Sequence, residues 1–188
     1  MTSSQTLFAL TATAAVAIIA AFTSFSLVQA STHEGPVERG RYLVTTMVCN
    51  DCHTPWTLGP NGPAPDMTRM LSGHPADLKL PAAPAGTDAW PIRAAASMTA
   101  WSGPWGTSYT ANLTPDAETG LGRWTADEFI ATLRTGRHQG RGRQLLPPMP
   151  YPFIGQLTDD DLRAMFAYLQ SIPKVTNKVP EPLPPQKG

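Results

Sequence analysis

Apolar residues recur at helical spacing in three separated stretches of the chain, and no run shows the period-two spacing of a strand. In the first stretch, Val37, Gly40, Val44, Met47 and Val48 share one helical face behind Pro36, a residue suited to an opening turn. The pattern predicts a helix of roughly three turns within residues 35–53 that delivers Cys49 at its end. In the second, Phe129, Ile130 and Leu133 form a stripe behind Thr125-Ala126-Asp127-Glu128. There the Thr hydroxyl and the Glu carboxylate can each satisfy the other's free amide, and Gly136 is placed to end the helix. In the third, Leu162, Met165, Phe166 and Leu169 follow the i, i+3, i+4, i+7 pattern between Thr158 and Pro173. Asp159, Asp160 and Asp161 fall in its first turn, where carboxylates offset the helix dipole and need no catalytic role.

Between the first and second helices, residues 54–112 hold Pro and Gly throughout, with no sustained period apart from a possible short helix at residues 92–99. So long a loop is unusual inside a compact domain. It becomes reasonable if the segment packs around a large non-protein group. Beyond Pro173, Pro180, Pro182, Pro184 and Pro185 predict that residues 174–188 form an extended, flexible tail. The expected fold class is therefore all-α, with few helices and long loops.

The first 30 residues differ from the rest. Residues 7–28 are rich in Ala, Val, Ile, Leu and Phe, and Val28-Gln29-Ala30 resembles an export-peptidase site. Residues 1–30 therefore read as a secretory signal peptide, although Met1 to Thr6 lack Lys and Arg. The competing reading is a retained membrane anchor, since this run is just long enough to span a bilayer. Either way the domain expected at residues 31–173 is exported. Lys+Arg and Asp+Glu both total 14, so there is no basic excess to suit nucleic acid.

Only two cysteines occur, and they stand in the string Cys49-Asn50-Asp51-Cys52-His53. A disulfide across so small a ring removes little chain entropy. A structural zinc site needs about four protein ligands, and a thioredoxin-like pair needs a βαβ setting that the pattern lacks. The spacing instead matches covalent haem attachment, with each thiol adding to one vinyl group and His53 serving as an iron ligand. For the opposite face of the iron, Met149 stands out because Pro147-Pro148 and Pro150 stiffen the backbone on both sides. Met98, Met67, Met70 and a histidine are the alternatives. Met47 and Met165 lie on apolar helix faces and suit the core. His138 sits among Arg134, Arg137, Arg141 and Arg143, which could neutralise haem propionates, meet an acidic partner or simply be solvated.

Several further strings resemble a known family: Gly40-Arg41-Tyr42-Leu43, the Cys49-to-Pro55 segment, Asn112-Leu113-Thr114-Pro115-Asp116, Thr119 to Thr125, Pro148 to Tyr151, and Leu157 through Leu169. Together they span about residues 35–173 and are similar to the haem domains of cytochrome c subunits of periplasmic alcohol, gluconate and related dehydrogenases. The resemblance implies a cytochrome c-like fold wrapped around one haem c, with the first and last helices crossing at Gly40 near Tyr168. It also implies His53/Met149 ligation, a Pro60 carbonyl that orients His53, and Asn112 and Trp124 at the haem pocket. It implies no catalytic residue: electrons would come from a periplasmic dehydrogenase and go to a downstream cytochrome or oxidase of the respiratory chain. The other class to weigh is a haem enzyme, a peroxidase or sulfur-compound oxidoreductase, with an open sixth position on the iron. The chain departs from the family in having one haem motif where such subunits usually have three, and a proline-rich tail in place of a membrane-binding segment.

Overall fold

The computed structural model describes residues 35–84 and 86–185, so the expected signal segment and His33 lie outside the described residues. Five α-helices occur among them: α1 (Pro36–Thr46), α2 (Cys49–His53), α3 (Ala126–Thr135), α4 (Tyr151–Ile154) and α5 (Asp159–Ser171). None is long and apolar enough to cross a membrane.

Helices α1 and α5, from opposite ends of the domain, cross at Gly40. A Cβ at that position would overlap the Ala164 carbonyl oxygen and lie 2.8 Å from the Tyr168 Cβ. Leu43 and Val44 of α1 enter the same core as Leu162, Met165 and Leu169 of α5, and Phe129, Ile130 and Leu133 of α3 close it. Phe129 and Phe166 meet with ring centroids 5.5 Å apart. The expected capping box on α3 is formed: Thr125 Oγ1 accepts from the Glu128 amide at 3.2 Å, and Glu128 Oε2 accepts from the Thr125 amide at 3.1 Å. Gly136 ends the helix in the left-handed region, at φ 66. On α5, Thr158 caps the Asp161 amide, while Asp159 and Asp161 also pair with Arg134 and Arg39.

The expectation of an all-α fold is overturned by two small antiparallel sheets within the segment read as loop. Strands β1 (Trp56–Gly59) and β2 (Gly62–Pro65) form one; β3 (Arg93–Ala94), β4 (Ala100–Gly103) and β5 (Gly106–Tyr109) form the other, in the order β3-β4-β5. The short helix expected at residues 92–99 is instead strand β3 and a turn. These strands have two to four residues, too few for alternation to register as a period. The Gly and Pro taken as loop punctuation make the hairpin turns, with Gly62 and Gly106 at φ 102 and 99. Pro63 and Pro65 are tolerated because a two-stranded sheet has only edges.

The proline-rich segment after Pro173 is extended, as its composition demands, and is held along the body. Asn177 is the main anchor. Its amide nitrogen donates to the Ser72 and His74 carbonyls at 2.7 and 2.9 Å, and its amide oxygen accepts from the Ala76 N–H at 2.9 Å. Farther on, Leu183 pairs with Thr107 of β5 through two backbone bonds of 2.9 Å. Each buried group left unpaired costs ~1–3 kcal/mol, so Asn177→Ala is expected to lower stability by about 2–4 kcal/mol. A urea melt reads the loss, and early protease cleavage within residues 174–185 locates it.

Asp116 adds an acid-sensitive tie to the same segment. Its Oδ1 accepts from the Thr119 hydroxyl at 2.7 Å, and its Oδ2 accepts from the Thr176 hydroxyl at 2.9 Å. These bonds, with the Thr119 and Glu118 amides, hold its pKa down at about 2. A folded-state pKa below the unfolded value of ~3.9 gives a contribution present above about pH 4 and lost as pH falls towards 2. The urea midpoint is expected to decline over that window, and less so in Asp116→Asn.

Candidate functional site

The Cys-x-x-Cys-His string does not continue α1. The chain breaks at Val48, which adopts a left-handed conformation at φ 51, and restarts as the single turn α2. That conformation is costly for a β-branched residue, and Val48 is exposed, so no burial offsets it. The break re-aims the turn that carries both cysteines and His53. Hydrogen bonds then lock the turn: Thr54 Oγ1 donates to Asn50 Oδ1 and accepts from the Leu71 amide, both at 2.8 Å, and the His53 carbonyl accepts from the Gly73 amide at 2.8 Å.

Cys49 and Cys52 are free thiols, both partly buried. Burial pushes the Cys49 thiol up to about 11, and burial followed by the Asp51 charge raises Cys52. Both are therefore neutral at neutral pH. His53 is buried, and burial lowers its pKa, so its imidazole is neutral too. Its Nδ1 lies 2.8 Å from the Ala111 carbonyl oxygen. A carbonyl can only accept, so Nδ1 carries the proton and Nε2 keeps its lone pair. Nε2 has no hydrogen-bond partner among the described residues. That is the state a metal-binding histidine needs, with its orientation set by the bond on the other nitrogen.

Met149 is half-buried and packs against the same apolar cluster as Cys49. Its amide donates to the Leu146 carbonyl at 3.3 Å, and the Ser108 hydroxyl holds the Pro147 carbonyl at 2.6 Å. Ser108 lies in β5, and three residues later comes Ala111. The short segment 108–111 therefore bonds the Met149 loop at one end and His53 at the other.

The other expected site residues are placed differently. Pro60 is exposed in the β1–β2 turn, and the carbonyl that orients His53 belongs to Ala111 instead. Asn112 is buried, but its side chain is spent on protein groups: its oxygen accepts from the Thr114 amide at 3.0 Å, and its nitrogen donates to the Val175 carbonyl at 2.8 Å. It braces the chain next to Ala111. Trp124 packs on the apolar cluster and meets His138 edge-on, with centroids 4.9 Å apart. Among the alternative ligands, Met67 is exposed, and His74 is buried with both ring nitrogens bonded, to Thr99 Oγ1 and the Leu78 carbonyl. Met70 packs against the cluster alongside Met149. Ala111 was not foreseen because a backbone carbonyl leaves no trace in a side-chain pattern.

Two neutral thiols one turn apart, a neutral imidazole with a free Nε2, and an apolar wall that includes a thioether fit a covalently attached haem. No protein-family model matches the chain. Among curated proteins, it is 42% identical over 81 residues, 42% of its length, to the cytochrome c subunit of a quinone-dependent alcohol dehydrogenase from Gluconobacter oxydans. It is 30% identical over 142 residues, 76% of its length, to a fructose dehydrogenase cytochrome subunit from Gluconobacter japonicus. A gluconate 2-dehydrogenase cytochrome c subunit from Pantoea cypripedii is 42% identical over 65 residues, 35% of the chain. These matches cover 17%, 22% and 14% of the relatives' own lengths, so the chain spans less than a quarter of each.

Proposed function

We propose, from the premise that the chain belongs to the cytochrome c family of dehydrogenase subunits, that it holds one haem c and carries single electrons. Cys49 and Cys52 would form the two thioethers, His53 would ligate through Nε2, and Met149 would take the opposite face. The observation that supports this set is the segment 108–111, which is bonded both to the Met149 loop and to His53. One-electron redox chemistry is what the haem supplies when bound, and a His/Met pair favours a high potential and closes the iron to added ligands.

The chain's own residues prepare that chemistry. The Ala111 carbonyl fixes the His53 ring and its tautomer, and the prolines beside Met149 limit how far its thioether can move. The cluster built from α1, α3 and α5 would keep water from the haem, which lowers the solvent reorganisation that transfer requires. The electron would arrive from a dehydrogenase in the periplasm and leave for a downstream cytochrome or oxidase of the respiratory chain.

The test is the visible spectrum of the purified protein, oxidised, then reduced, then exposed to carbon monoxide. Low-spin bands that carbon monoxide leaves in place are expected. A spectrum shifted by carbon monoxide would overturn the carrier reading in favour of a haem enzyme.

A further inference from the structure

Segment 107–112 carries both holds on the proposed iron ligands. The Ser108 hydroxyl donates to the Pro147 carbonyl in the Met149 loop, and the Ala111 carbonyl accepts from His53 Nδ1. Strand β5, where the segment begins, pairs with β4 along one edge, and its other edge meets the proline-rich chain at Leu183. There Thr107 and Leu183 exchange two backbone bonds of 2.9 Å, one residue before Ser108. At the far end, the Asn112 side chain donates to the Val175 carbonyl at 2.8 Å, one residue after Ala111. The contacts of the proline-rich chain with this segment therefore fall beside the two residues that hold ligands.

The chain between those contacts is built to keep its place. Its start is tied down, with the Val175 amide donating to Thr114 Oγ1 at 3.1 Å and the Asn177 amide to Thr119 Oγ1 at 3.0 Å. Pro180, Pro182 and Pro184 then keep it extended and stiff, so little slack separates its anchors. Gly106 lets it lie close: a Cβ there would overlap the Leu183 carbonyl oxygen and come within 2.6 Å of the Pro184 carbonyl carbon. Apolar burial does not explain the far contact, because Leu183 is 53% exposed and Pro184 and Pro185 are exposed too. The backbone of Leu183 is what the fold uses.

We propose that residues 175–183 are a positioning strap for the iron site. Leu183 steadies Ser108, and through it the Met149 loop; Val175 steadies Ala111 through Asn112, and through it the His53 ring. The inference rests on the haem reading. Loosening the strap touches neither cysteine, so its effect falls on the hold over Met149 and not on haem attachment.

Stopped-flow uptake of carbon monoxide by the reduced, full-length protein tests this, because a closed iron admits the gas only while its thioether is away. Leu183→Pro removes the N–H that the Thr107 carbonyl accepts, with little buried surface lost. Uptake is expected to rise about fivefold, the equivalent of one hydrogen bond. The far-red absorbance that a thioether ligand gives oxidised haem should weaken in parallel. Asn177→Ala, which frees the other end, should shift both readouts the same way and keeps the test open if Leu183→Pro does not fold. Thr125→Ala is the control: it removes the α3 cap, lowers stability to a similar degree, and should keep the parent's uptake. Strap variants that lower the urea midpoint as the control does, yet take up carbon monoxide at the parent's rate, would overturn the inference. A parent without haem bands would sink the functional reading itself, so the two failures are distinguishable.

Discussion

Gly40→Val is expected to leave little folded protein, with a loss larger than that of any surface substitution in the chain. The atoms facing Gly40 are the Ala164 carbonyl and the Tyr168 Cβ, which belong to the α5 backbone or are fixed directly to it. A flexible side chain could swing aside, but these atoms cannot move unless α1 and α5 separate. Separation would open the core at Leu43, Val44, Leu162 and Met165, all buried. Overpacking alone costs ~1–3 kcal/mol, and the lost contacts bring the total to about 4 kcal/mol or more, in the range reserved for core disruption. Gly40→Ala should show the same effect in milder form, because the first added carbon already overlaps Ala164. The measurement is the yield and urea midpoint of each variant, with the α-helical circular dichroism signal as the readout. A Val variant as stable as the parent would mean that α1 and α5 do not cross as described.

The helix crossing also shows what the sequence made legible. Helices α3 and α5 announce themselves because a capping residue, an apolar stripe and a stop signal coincide in each. The break at Val48 has no such signature, because a positive φ at a valine runs against its intrinsic preference and is imposed by the surroundings. The sheets were hidden by brevity. The hold on His53 was hidden for a different reason: Ala111 acts through its carbonyl, and the residue letter at that position says nothing of it. In the proline-rich segment, composition implied an extended, flexible chain and gave no weight to Asn177, whose side chain bonds three backbone groups. The letters proposed to carry the chemistry were the easiest to single out. Cys49, Cys52, His53 and Met149 each stand in a short, unusual string, while the groups that position them are backbone atoms and hydroxyls spread over the loop.

That division of labour gives Met149→Ala a definite expected result. The protein should still fold, because Met149 is only half-buried and the loop's ties at Ser108–Pro147 and along α4 do not involve its side chain. Haem should remain attached, since neither cysteine is touched. The sixth position should become open, so the reduced protein would now bind carbon monoxide and its bands would shift. The potential should fall by roughly a few tenths of a volt, a fraction of the ~0.8 V that axial ligands span. Met70→Ala is the comparison, because Met70 packs against the same cluster and shares the chemistry. If Met149 is the ligand, the Met70 variant keeps the parent spectrum and loses only some packing. If the results are exchanged, with the Met149 variant unchanged and the Met70 variant open to carbon monoxide, the iron is held by Met70, in the segment that follows β2. The bond from Ser108 to Pro147 would then serve the fold alone.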